Sequence, residues 1–334
     1  MSPATRSRED GLPMTTPIRR LRVPTELGGE RLDRALAALC ADVSRTRLKA
    51  AIQAGGVRVD GATVDRPGQP IEADAEIEVD GAALAPRVRA GSDELDFEVL
   101  FEDEHLAVIA KPAGMLSHPT DAVRGGTVSE LAERRFGPLP SLQGADRPGI
   151  VHRLDGGTSG VMVLGRSEPA FAELMRQFRA REVEKTYLAL VWGEPRFDTG
   201  WIEAPIARSA AVPSRMDIAA AGEGRDAATW YEVRERFGVA ALVQASPKSG
   251  RTHQIRVHLA SIGHPLIGDS VYKRKGGPPV RLAADAPLPA RQALHAHALR
   301  FKHPVGGQPM AFEVPLPEDM SALLEWLRRE HAET

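Results

Sequence analysis

The spacing of apolar and polar positions divides the chain into a short N-terminal portion and a longer remainder. After Gly28 and Gly29, Leu32, Leu36 and Leu39 recur at helical spacing with Ala35 and Cys40 beside them, which predicts a helix over 31–41. Ser44 is placed to cap a second helix over 45–54, whose Leu48, Ile52 and alanines form an apolar side while Arg45, Arg47 and Lys49 form a basic one. Gly55-Gly56 ends it. Val57-Arg58-Val59 then alternates as a strand, Asp60-Gly61 is a hairpin turn, and Ile71, Ile77 and Val79 alternate with acidic residues as further strands. Two short helices and a hairpin make a unit of about 60 residues, near the lower end of what folds alone.

Residues 83–93 contain Pro, Arg, Gly and Ser without periodicity and read as a linker. The expected division is a disordered tail at 1–18, a small domain at 19–85, a linker at 86–94 and a large domain at 95–334. In the large domain, strand-like runs (97–100, 106–110, 161–164, 187–192, 240–244 and 299–302) alternate with helical patterns at 128–136 and 169–180. The fold class is α+β, a mixed sheet with helices preceded by a small helix-helix-hairpin unit.

Composition narrows the function classes. The chain has 334 residues, 42% of them hydrophobic, enough for one large core and a second small one. Its single cysteine, Cys40, excludes an internal disulfide framework, so nothing calls for an oxidising compartment and a cytoplasmic location is expected. The N-terminal residues lack the apolar stretch of a signal peptide, and no run approaches the roughly 18 apolar residues of a membrane-spanning helix, so no membrane is expected. The net charge of −2 hides an asymmetry: 13 acidic and 3 basic residues fall within 62–104, leaving a basic surplus elsewhere. Between Lys248 and Lys275 six basic residues accompany one acid, Asp269, which suits either a phosphate-tracking surface or a solvated charged face.

Polar side chains concentrate in 152–160, 185–193 and 248–269. In Ile150-Val151-His152-Arg153-Leu154-Asp155-Gly156-Gly157-Thr158-Ser159-Gly160, composition alone makes Asp155-Gly156 a hairpin turn between Ile150-Val151 and the strand at 161–164. There is no GxGxxG after a strand and no GxxxxGK[ST], so no nucleotide cofactor is expected. His253, His258 and His264 match no zinc spacing, and no metal is expected either. Ser159, His152 and Asp155 together would suit a hydrolase, but the chain has no GxSxG elbow.

Ordered motifs raise the specificity. Arg31-Leu32-Asp33-Arg34-Ala35-Leu36, Ser44-Arg45-Thr46-Arg47-Leu48 and Gly56-Val57-Arg58-Val59-Asp60-Gly61 resemble the RNA-binding module named after small-subunit ribosomal protein S-four, with Asp60 where Asn is usual. His152-Arg153-Leu154-Asp155 followed by Thr158-Ser159-Gly160 resembles the signature of the RluA-type pseudouridine synthases. Further family stretches follow in order: 108–114 with His118-Pro119, 185–193, 249–259, 263–269 and 291–296. With the N-terminal module, the chain is most similar to the RluD/RluC-like branch. Gly156-Gly157 and Ser249 depart from the usual pattern without removing a catalytic atom.

The resemblance implies an enzyme that isomerises uridine in structured RNA, ribosomal RNA of the large subunit ahead of transfer RNA; a monomer is expected because RNA supplies the partner surface, and no cofactor is expected. A non-catalytic RNA-binding or ribosome-assembly factor is the rival. Asp155 is implied as the catalytic carboxylate, acting either as nucleophile or as base towards the sugar C2′ proton. Arg251 is implied as its ion-pair partner, against an ordinary surface salt bridge. Tyr187 offers a ring to stack on uracil and a hydroxyl to exchange a proton, or is a plain strand tyrosine. Arg153 is implied to fill the space of a flipped nucleotide, or to hold phosphate. His152, Arg256, Arg45, Arg47, Lys49 and Arg58 complete the expected RNA-contacting set; His152, His118 and His295 have no assigned proton-transfer role.

Overall fold

The computed structural model describes residues 18–84, 87–88, 95–120, 123–212, 215–220, 222–273 and 282–331. The expected tail up to residue 17, most of the expected linker, and Arg274 and Lys275 of the basic stretch lie outside the described residues. The chain forms two compact units, one comprising 1–90 with 120–124, the other 91–119 with 125–334.

In the first unit, α1 (Leu32–Leu39) and α2 (Arg45–Gln53) pack on a sheet of β1 (Arg19–Arg22), β2 (Val57–Val59), β3 (Ala62–Thr63) and β4 (Glu76–Val79), in the order β1-β4-β2-β3. The apolar positions that predicted these elements close its core: Leu32, Leu36, Leu48, Ile52, Val57 and Ile77 are fully buried. The Ser44 side chain accepts from the Arg47 N–H, the expected cap. Asp60 and Gly61 have φ of 48° and 77°, the left-handed pair that a two-residue hairpin of this twist requires. The Asp60 carboxylate also accepts from the Glu76 N–H at 2.8 Å, which offsets the cost of that backbone for a non-glycine residue. Ile71 is buried but lies outside any strand. A single turn, α3 (Gly81–Leu84), precedes β5 (Arg87–Val88), which pairs in parallel with β8 (Val123–Arg124). The segment expected as linker thus begins with paired backbone.

The second unit is built on nine strands: β6 (Glu98–Glu102), β7 (Leu106–Lys111), β9 (Ser159–Gly165), β10 (Glu184–Trp192), β11 (Thr199–Glu203), β14 (Ala228–Arg236), β15 (Ala240–Pro247), β16 (Leu294–Lys302) and β17 (Pro309–Glu313). Their order is β11-β14-β15-β10-β16-β9-β7-β6, with β17 on β16. β12 (Ile206–Arg208) and β13 (Met216–Ile218) form a separate pair. All pairings of the large sheet are antiparallel except β16 with β9, so the sheet is mixed. At that parallel seam, a Cβ on Gly160 would stand 2.2 Å from the Ala296 carbonyl oxygen.

Strand alternation dictates where the helices sit. Ile109, Met162 and Leu164 pack with Val128 and Ala132 of α4 (Val128–Phe136), while Leu106, Val108, Val161 and Val163 pack with Phe171 and Leu174 of α5 (Glu168–Ala180). Period two sends these two sets to opposite faces. The same division recurs along the sheet: α6 (Gln254–Ser261) joins Val191 and Val243, whereas α7 (Glu318–His331) joins Leu190 and Leu242. Thr127 starts α4 with a reciprocal capping box to Glu130. Among the described residues no helix is long and apolar enough to cross a membrane.

Candidate active site

Asp155 does not sit in the turn of a regular hairpin. Only Ile150 bridges Leu164, and the backbone from 151 to 158 is irregular. Other groups fix this loop instead. The Ser117 hydroxyl donates to the Leu154 carbonyl at 2.9 Å and accepts from the Leu154 N–H at 3.1 Å. The Gly114 N–H donates to the Gly156 carbonyl at 2.7 Å. Lys111, buried at the end of β7, directs its ammonium at the carbonyls of Pro112, Met115 and Gly156. These bonds offset part of the cost of burying the ammonium and tie the loops beside β7 and β9 together.

The Asp155 carboxylate, 18% exposed, borders an open cleft of about 410 Å³ also lined by Arg153, Lys185, Tyr187, Arg251 and His253. Its partner is Arg256 on the first turn of α6, whose Nη1 donates to Asp155 at 3.0 Å. The same guanidinium donates through Nε (2.7 Å) and Nη2 (3.0 Å) to Asp269, whose side chain is wholly buried. Asp269 is fixed in turn by the N–H groups of Val271 and Tyr272. Burial opposes the charge on Arg256, but the Asp269 and Asp155 carboxylates outweigh it and raise its pKa. For Asp269, burial pushes upward, while Arg256 and the two N–H donors prevail and hold it below its usual range.

This geometry corrects the expectation for Arg251. That residue lies in the turn before α6, and its Nε reaches outward to the Asp226 carbonyl at 3.2 Å. The helix begins only after His253, whose left-handed backbone (φ 56°) redirects the chain, so Arg256 is the arginine turned inward. His253 itself places Nε2 3.9 Å from Asp155 while Nδ1 meets the Tyr272 hydroxyl at 3.0 Å. Burial lowers its pKa more than the Asp155 charge raises it.

Tyr187 reaches the cleft from β10 at a bulge in the pairing with β16, between Thr186 and Tyr187. Burial, and after it the Asp155 charge, push its hydroxyl above the usual phenol range, so it stays protonated at neutral pH. The hydrolase set is not assembled: the Ser159 hydroxyl meets His295 Nδ1 at 2.9 Å, and His152 Nε2 accepts from the Val163 N–H.

The comparisons give this site its context. Residues 105–261 match the RNA pseudouridylate synthase family model and residues 30–77 the S4 domain model. The chain is 42% identical, over 92% of its length and 87% of the relative's, to ribosomal large subunit pseudouridine synthase D of Nitrosomonas europaea. The chain belongs to the RNA pseudouridylate synthase family. The relative of the same name in Pseudomonas aeruginosa is 40% identical over 93% of this chain and 96% of its own. Among solved structures, human RNA pseudouridylate synthase domain containing 4 matches with a TM-score of 0.53 at 26% identity, covering 69% of this chain and 92% of that one. The α+β class with a mixed sheet is thus the fold of an RNA pseudouridine synthase.

The remaining residues anticipated as RNA contacts divide. In the synthase's large unit, Arg153 is exposed at the cleft. His152 stacks on Phe178 at 4.6 Å and its Nε2 accepts from the Val163 N–H, leaving Nδ1 for any ligand. Burial and then Lys185 lower its pKa to about 3, so it brings no positive charge. In the S4 unit, Arg58 is exposed, whereas Arg47 donates to the Leu84 carbonyl. Arg45 and Lys49 converge with Arg31 on Asp33, a carboxylate with no exposed surface. One buried anion thereby holds three half-exposed cations in a fixed group with net positive charge.

Asp269 and Lys111 lie in stretches the sequence singled out and Ser117 lies beside one, but no local signal marks their roles. Asp269 is an acid amid basic residues, which was the one available hint.

Proposed function

We propose that this synthase converts uridines of large-subunit ribosomal RNA to pseudouridine, with Asp155 as the reacting carboxylate. The observation that carries the assignment is the Asp155–Arg256–Asp269 chain facing Tyr187 across an open cleft. The S4 unit and the relatives named for large-subunit ribosomal RNA support the substrate class. With RNA supplying the partner surface, the enzyme acts as a monomer in the cytoplasm, using no nucleotide.

The reaction breaks the C1′–N1 bond, turns the uracil within the site and joins C1′ to C5; the C5 proton is lost and N1 regains one. Nothing is oxidised or consumed, so one oriented carboxylate suffices, attacking as nucleophile or removing the C2′ proton. Arg256 keeps Asp155 aimed once an RNA base excludes water from the cleft. Tyr187, protonated throughout, supplies an aromatic face and a donor rather than a base. Arg153, exposed at the mouth, is suited to stand in for the extruded nucleotide, whose unstacking costs a few kcal/mol.

The test is incubation of wild type and Asp155→Ala with total RNA from cells lacking the protein, followed by carbodiimide-blocked primer extension. Stops in large-subunit ribosomal RNA with wild type alone are expected. Stops confined to transfer RNA would overturn the substrate, and no new stop with folded wild type would overturn the enzymatic role in favour of a binding factor.

A further inference from the structure

Beside the reacting carboxylate, the cleft has a second pole without an assigned purpose. Arg181, Lys185 and Lys248 all line it, on the wall formed by the end of α5, the start of β10 and the end of β15. Arg181 takes a left-handed conformation (φ 60°) that ends α5 there, and Lys248 is exposed just beyond β15. Lys185 is half-buried, and its ammonium has one hydrogen-bond partner, the Ser249 carbonyl at 3.2 Å.

Among the described residues no carboxylate pairs with any of the three, in contrast to Arg176, Arg236 and Arg256. Two acids, Glu203 and Asp226, line an adjoining hollow that Arg181 and Lys248 also border. The cost of this crowding is visible at Lys185: burial, then the charges of Arg181 and Lys248, lower its pKa to about 8. Like charges gathered on one wall of a cleft whose carboxylate, Asp155, is bonded to Arg256 repel one another in the free protein, and a ligand that brings negative charge relieves them.

The geometry points to a phosphate-binding site in which Arg181, Lys185 and Lys248 hold the backbone of the RNA strand beside the target uridine. Arg181 and Lys248, on flexible stems near solvent, engage first; Lys185, set deeper, fixes the strand's register relative to Asp155. Charge-assisted bonds of this kind strengthen as water leaves. This inference rests on the reading of RNA as substrate and names a contact that reading does not supply.

The test compares wild type, Arg181→Gln/Lys248→Gln, Lys185→Met and Lys185→Arg, using large-subunit ribosomal RNA from cells lacking the protein. Turnover is followed by pseudouridine mapping and binding by filter retention from low to high salt. The double variant is expected to raise KM about tenfold with kcat little changed, and to flatten the dependence of log affinity on log salt by about 0.7, the loss of one phosphate contact on a single strand. Lys185→Met should likewise raise KM, and Lys185→Arg should restore it. Unchanged KM and salt slope in the double variant would overturn the site, as would a loss confined to kcat. Failure of wild type to modify the RNA would sink the functional reading instead, while the binding arm would still decide the phosphate contact.

Discussion

The guanidinium of Arg256 donates to Asp155 through one nitrogen at 3.0 Å while its other two nitrogens are committed to the buried Asp269. Arg256 therefore cannot swing away from Asp155 without breaking a buried ion pair. Arg256→Gln is expected to lower stability by about 3 kcal/mol, because Asp269 would keep a buried charge without a counter-charge. It should also cut kcat by about 100-fold through misplacement of Asp155. Arg251→Gln, at the rim, should act on KM and spare kcat. Denaturant melts with single-turnover assays on both variants separate the two arginines; an equal kcat loss in Arg251→Gln would restore that residue as the partner.

Tyr187 offers a second division. Phenylalanine keeps the ring but removes a hydroxyl that burial, and after it the Asp155 charge, keep protonated. Tyr187→Phe should reduce kcat by roughly 100-fold with KM nearly constant, as expected for loss of a hydrogen-bond donor to the reacting base. Tyr187→Leu should raise KM as well. Steady-state kinetics across neutral pH would reveal the split, and a fully active phenylalanine variant would leave only stacking.

Acid should reveal the organising role of Asp33. Burial alone would raise its pKa, but hydrogen bonds from Arg31, Arg45 and Lys49 bring it down to about 2. A carboxyl depressed in the folded state contributes stability that is complete above the unfolded value near 4 and is lost as pH falls towards 2. Hydrogen exchange at the amides of α1 and α2 should show Asp33→Asn less protected by about 2 kcal/mol at pH 5, with the difference shrinking towards pH 2. A gap independent of pH would point to packing instead of charge.

The seam between β9 and β16 has no room for a side chain. Gly160 has φ of 121°, and a Cβ there would stand 2.2 Å from the Ala296 carbonyl oxygen and 2.6 Å from its carbonyl carbon and nitrogen. Gly160→Ala is expected to cost about 3 kcal/mol in chemical denaturation, combining backbone strain with displacement of a central strand. A change under 1 kcal/mol would mean that the parallel pairing yields easily.

Local chemistry was legible where neighbours along the chain decide the outcome. Ser44 before a basic-apolar period marked α2, the run 128–136 marked α4, and Asp60-Gly61 marked the β2–β3 hairpin, each because a cap, a period or a positive φ is a property of adjacent residues. The helix carrying Arg256 was not marked: Gln254 to Leu259 are all buried, so α6 has no polar face to set a period. Asp155 stood out through its motif, while its surroundings read as a turn. Only the folded sheet brings Lys111 and Ser117 under that loop, and only the buried Asp269 selects Arg256 over Arg251. Those choices depend on charges far apart in sequence meeting where water is scarce, and no pattern along the chain records which of two arginines will find the carboxylate.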